Sequence, residues 1–277
     1  MPMDTISTAN TTYSPPVDQL LKLGDCRNRT RPPYHTMGFT AEHVPELIRM
    51  SIDPELNWSD AETDEVWAPI HAWRVLGMLR APEAIEPLLA LFDDLEDSDW
   101  PANELPHVFG LIGPRAILPI TRFLSDRSRD EYARSGAVSG LTEIARHWPE
   151  ARAECVSVLA RLLDDPAEED AFASFVVCEL MDLRGVEAAS VIERAFAENR
   201  IDISIPGDWE DVQVGLGLLP ARITPKPRYH IFPGLVPFRD RETRSSAVSG
   251  GSGAAAKAAA KRKREKEARR KNRRRKK

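Results

Sequence analysis

The feature that most constrains this 277-residue chain is a nine-residue apolar pattern that returns along its length. AIEPLLALF (84–92) aligns with AILPITRFL (116–124) 32 residues later, with CVSVLARLL (155–163) a further 39 on, and with AASVIERAF (188–196) a further 33 on. The second, fourth, fifth, eighth and ninth positions are almost all apolar, and a period of 3.6 residues gathers them onto one side of a helix. A second helical stretch precedes each copy, at 72–79, 105–112, 135–145 and 173–183, with Gly77 and Gly110 in similar places. Between the paired stretches stand Ala81-Pro82, Gly113-Pro114, Trp148-Pro149 and Arg184-Gly185. These residue types stop one helix or start the next. The unit is therefore a helical hairpin. A lone hairpin cannot cover its own apolar face, so neighbours must stack on a continuous core.

The expected fold is all-α, an α-solenoid of such hairpins over 67–199. Residues 1–14 are expected to be disordered, and 15–66 to form a helical cap with helices near 17–23 and 41–52 and Thr40 as an N-cap. Residues 200–244 carry Pro206, Pro220, Pro225, Pro227, Pro233 and Pro237, which predicts extended chain wrapped on the last repeat. A flexible linker followed by a polybasic tail fills 245–277.

Charge divides the chain in two. Residues 254–277 hold 14 Lys or Arg against two Glu, a net of +12, so a whole-chain charge of −5 leaves −17 on the rest. Lys261, Arg262, Lys263, Arg264, Arg269, Arg270, Lys271, Arg273, Arg274 and Arg275 are the candidate nucleic-acid-binding residues. Such a run neutralises phosphates and releases counterions, which predicts contact with RNA, DNA or the ribosome. The tail has no aromatic residue to stack on a base, so that contact would be independent of sequence. A solubilising role, docking on the acidic body, an anionic membrane, or nuclear import in a eukaryotic cell are the other readings.

Cys26, Cys155 and Cys178 are odd in number and far apart, unlike a zinc site or a disulfide framework. With no basic start leading into an apolar stretch, and no run of about 18 apolar residues, a cytoplasmic protein without a membrane span is expected. The six histidines show neither a His-Glu-x-x-His pair nor clustering suited to a metal, and His71 and His107 read as helix-end or core residues. Neither a Gly-x-Ser-x-Gly elbow nor a phosphate-binding glycine loop is present. The acidic runs at 60–65 and 93–99 lack the glycine and ligand spacing of a calcium loop. No catalytic residue, metal or cofactor is expected.

The stretch Gly110-Leu111-Ile112-Gly113-Pro114-Arg115-Ala116-Ile117-Leu118-Pro119 resembles the HEAT-like repeat of phycobilisome lyases. PPVDQLL (15–21), HVPELIRM (43–50), WAPIHAWRVL (67–76) and GDWEDV (207–212) are similar to a group of bacterial HEAT-repeat proteins of unassigned activity, over roughly 15–230. The resemblance implies the solenoid but little chemistry, since one solenoid serves many binding tasks. Members of that group often end in a cysteine-rich zinc motif, whereas this chain has no cysteine after Cys178.

In HEAT-type stacks the second helices line the concave surface. Arg122, Arg161 and Arg194 share the seventh position of the aligned pattern, with Ala90 in the first copy, and form a candidate ladder for a carboxylate-rich or phosphate-bearing partner. The plainer reading pairs them with Asp126, Asp165 and Glu198, each four residues later, as surface ion pairs worth about 0.3 kcal/mol each. Trp209, between acidic neighbours, is a further candidate partner-binding residue. The expected function is a non-enzymatic scaffold that holds a protein or peptide on its concave surface. The alternative is a bilin lyase-like enzyme or lyase subunit that holds a tetrapyrrole there.

Overall fold

Eleven α-helices and eight short 3-10 turns carry the described residues, with no strand among them. The computed structural model describes residues 12–27, 32–58, 63–95, 98–168 and 170–226. The linker and polybasic tail at 245–277, most of the stretch expected to be disordered, and residues 227–244 lie outside them.

The predicted pairs of helices are present along the chain. Their first helices are α3 (Ala68–Met78), α5 (Trp100–Ile112), α7 (Glu131–His147) and α9 (Asp170–Asp182). Their second helices are α4 (Ile85–Asp94), α6 (Ile117–Ser125), α8 (Arg152–Asp164) and α10 (Ala189–Ala197). Each second helix is entered through a three-residue 3-10 turn, at Pro82–Ala84, Pro114–Ala116, Pro149–Ala151 and Val186–Ala188. Proline opens three of the four, because its fixed φ suits a helix start and its missing N–H is not needed there.

Contacts run in two rows. First helices pack in succession from α1 (Val44–Ser51) through α3, α5, α7 and α9 to α11 (Trp209–Leu216), and second helices pack from α4 through α6 and α8 to α10. Leu88, Leu89, Leu105, Phe109, Ile120, Leu124, Leu141 and Leu159 are buried, nearly or wholly, as the repeating apolar pattern requires. Each such side chain contributes about 1.5–3 kcal/mol relative to exposure. Two glycines set how closely the first helices approach. A Cβ on Gly77 would stand 3.1 Å from Leu111 Cδ1, and one on Gly110 would stand 2.9 Å from Glu143 Cβ.

Polar side chains join repeats along both rows. Arg74 on α3 meets Glu104 on α5 at 2.6 Å and 2.9 Å, with both side chains largely buried. Arg134 on α7 meets Glu168, just before α9, at 2.8 Å and 2.9 Å, donates to the Leu124 carbonyl at 2.8 Å and lies over the Phe172 ring. Near the ends of the second helices, Arg129 pairs with Asp93, and Arg200 donates to the Leu163 carbonyl at 3.0 Å.

The cap holds α1, the short α2 (Pro54–Asn57), and 3-10 turns at Val17–Lys22 and Tyr34–Thr36, with Val17 and Leu20 fully buried. Thr40 stands before the turn that leads into α1, and its amide donates to His43 Nδ1 at 3.0 Å. The 200–244 segment, expected to be extended throughout, instead contains α11. Asp208 caps that helix by accepting from the Asp211 amide at 2.9 Å, and Gly217, at φ 85°, ends it. Among the described residues no single helix is long and apolar enough to cross a membrane.

Candidate functional site

The junction of α5 and α7 gathers groups that are 36 to 40 residues apart in sequence. On α7, Glu143 and His147 stand four residues apart and so share a face. On α5, His107 lies one turn before Gly110, whose missing side chain lets the α7 backbone approach. His107 Nδ1 stands 3.7 Å and His147 Nδ1 3.9 Å from Glu143 Oε2, and the two imidazole rings meet edge to face at 5.3 Å. One nitrogen of each ring and a carboxylate oxygen of Glu143 all lie within 4.8 Å of one another. Neither imidazole is buried; about a third of each side chain is exposed.

The carboxylate has a second support. Glu143 Oε1 accepts from Arg146 Nη1 at 2.6 Å, and Arg146 also pairs with Asp182 on α9 at 3.1 Å. The neighbouring His107 ring first, and then the Arg146 guanidinium, outweigh partial burial and pull the Glu143 carboxyl down to about 2. It is therefore ionised throughout the ordinary range. His147 Nδ1 lies 2.9 Å from the Glu143 carbonyl. A carbonyl only accepts, so Nδ1 carries the proton and Nε2 keeps its lone pair in the neutral ring. Behind the site, Trp148 Nε1 donates to the Gly110 carbonyl at 3.0 Å, and the Arg80 guanidinium lies 5.0 Å from the Trp148 ring centre.

His71 has the opposite environment. It is buried on α3, with Nδ1 2.6 Å from the Tyr34 hydroxyl and Nε2 2.9 Å from the Gly24 carbonyl. Nε2 therefore donates to Gly24, and Tyr34 donates to Nδ1. Burial pulls the His71 pKa down, which keeps the ring neutral. Cys26 Sγ lies 3.4 Å from Nε2, and burial pushes its thiol up to about 12, far from a reactive thiolate. His71 is thus a core residue, as its position in the sequence predicts.

Arg122, Arg161 and Arg194 are exposed on consecutive second helices, α6, α8 and α10. The ion pairs expected at four-residue spacing do not form. Asp126, Asp165 and Glu198 are the residues just past the ends of α6, α8 and α10. The helical geometry that brings such pairs together has ended there. Asp126 instead pairs with Arg129 at 3.2 Å, Asp165 with Arg127, and Glu198 with Arg200 at 2.9 Å. Arg194 reaches Asp164 on the neighbouring α8, whereas Arg122 and Arg161 have no ion-pair partner among the described residues. Trp209 opens α11, half-buried, with its ring 5.8 Å from that of Phe196. The ten tail cations lie outside the described residues.

No protein-family model, curated protein or solved structure matches this chain.

No grouping of histidines is visible along the sequence, yet the fold makes one at the α5–α7 junction. The available signal was the four-residue spacing of Glu143 and His147, combined with a glycine in the preceding first helix that forces a close approach.

Proposed function

We propose that the two rows of helices form an α-solenoid whose second-helix side docks an acidic segment of a partner protein, and that the chain is a non-catalytic scaffold. The carrying observation is the exposure of Arg122 and Arg161 at the same position of consecutive second helices, without ion-pair partners among the described residues, in a body of strongly negative charge. Free guanidiniums at repeat spacing suit successive carboxylates on an extended peptide. Arg194 exchanges its exposed pair with Asp164 at small cost, because such pairs contribute about 0–1 kcal/mol. The polybasic tail adds sequence-independent attachment to RNA, DNA or the ribosome, which raises the effective concentration of the body near its target.

Titration with a fluorescent Asp/Glu-rich peptide tests the docking surface. The full chain is expected to bind the peptide, and the Arg122→Ala/Arg161→Ala/Arg194→Ala variant to lose binding with unchanged helical circular dichroism. Equal binding by the variant sinks the reading. For the tail, RNA affinity is expected to fall linearly with salt on logarithmic axes and to vanish in a chain ending at Ser249. Undiminished RNA binding by that shorter chain removes the tail from the function.

A further inference from the structure

We propose that His107, Glu143 and His147 form a binding site for a divalent first-row transition cation, with Zn2+ the best match, that clamps α5 to α7 and leaves a coordination position open to solvent. The proposal stands on the α5–α7 junction alone and is independent of the docking surface on the second helices.

The donor set selects the class of ion. Two imidazoles and one carboxylate suit zinc and its neighbours, whereas calcium and magnesium take all-oxygen sites. Arg146 occupies Glu143 Oε1 and pairs with Asp182. That leaves Oε2 beside the two rings, with one nitrogen of each ring and a Glu143 carboxylate oxygen all within 4.8 Å of one another. Donors of a tetrahedral centre with bonds near 2.0 Å lie about 3.3 Å apart. Binding therefore requires rotation of the His107, Glu143 and His147 side chains to bring the three donors from within 4.8 Å to that spacing.

The surroundings are those that ligating groups use. His147 is oriented through Nδ1 by the Glu143 carbonyl at 2.9 Å, and the Glu143 carboxylate is oriented by Arg146 at 2.6 Å. Such outer contacts fix the tautomer and direction of a ligand. Gly110 supplies the space, because a Cβ there would lie 3.0 Å from His147 Nδ1. The exposed side of both rings gives the ion a path in and a place for a bound water.

The test uses the full chain, stripped with a chelator and titrated with Zn2+ by calorimetry. One ion per chain is expected, with micromolar or tighter affinity. Zn2+ at a hundredfold excess over its dissociation constant should raise the midpoint of thermal unfolding by about 5–10 °C. His107→Ala/His147→Ala and Glu143→Gln are each expected to abolish both effects. Cobalt(II) provides a readout that needs no variant: the wild-type chain should show visible d–d bands of a nitrogen- and oxygen-ligated ion without a thiolate charge-transfer band. Absence of binding, a thiolate band that moves the site to the cysteines, or undiminished binding by the histidine variant would each overturn the proposal.

Discussion

The junctions on either side of α5 use one place in the repeat for two purposes. Arg74 stands three residues before Gly77, and His107 stands three residues before Gly110. Each faces a glutamate on the next first helix. Arg74 closes on Glu104 through two hydrogen bonds, largely out of solvent. His107 meets only one oxygen of Glu143, at 3.7 Å and partly exposed. A guanidinium is permanently charged and satisfies a carboxylate by itself, so the first junction is complete. An imidazole satisfies half of one and keeps a lone pair for something else. The difference lies in which cation-forming side chain occupies the place, and in how much water reaches it.

Four substitutions or conditions bear on this contrast. Glu104→Ala strands a buried guanidinium and should cost about 3–5 kcal/mol, read from the shift of the urea midpoint. A loss near the value of an exposed pair would erase the distinction between the junctions. Gly110→Ala forces α7 away from α5 and should cost about 1–3 kcal/mol, together with loss of the Zn2+ response. His71 supplies the pH-dependent element of the first junction, where Tyr34, Cys26, Arg74 and Glu104 surround it. Its folded pKa is lowered, so at acid pH the unfolded chain takes a proton that the folded chain refuses. Its contribution is fully present above about pH 6.5 and declines below that, by at most about 1.4 kcal/mol per pH unit. Chemical denaturation between pH 7 and pH 5 should show this slope, and His71→Leu should flatten it. His107→Ala is the smallest effect, within about 0.5 kcal/mol without metal, as for a partly exposed residue with one long ionic contact and one ring contact.

The sequence carries the repeats because they are local. Apolar spacing and the Pro or Gly between paired stretches locate all four helix pairs, and the glycines at 77 and 110 foreshadow the close approach of first helices. Contacts between repeats are less legible. His107 meets Glu143 only because two separate helices pack at a particular offset, and no window along the chain contains both. The arginine column illustrates the complementary error. The four-residue rule holds inside a helix, and Asp126, Asp165 and Glu198 sit just where each helix stops. Within the proline-rich 200–244 segment, the Asp208 cap and the helix formers after it outweigh the prolines, which flank α11 without entering it.

The Arg134–Glu168 pair has a consequence for assembly. Amphipathic helices with similar apolar faces have many nearly equivalent ways to dock, and hydrophobic contact alone discriminates poorly among them. α7 docked against a wrong neighbour would bury a guanidinium without its carboxylate, at a cost of several kcal/mol. The pair thus works as an address, telling α7 that α9 is its neighbour.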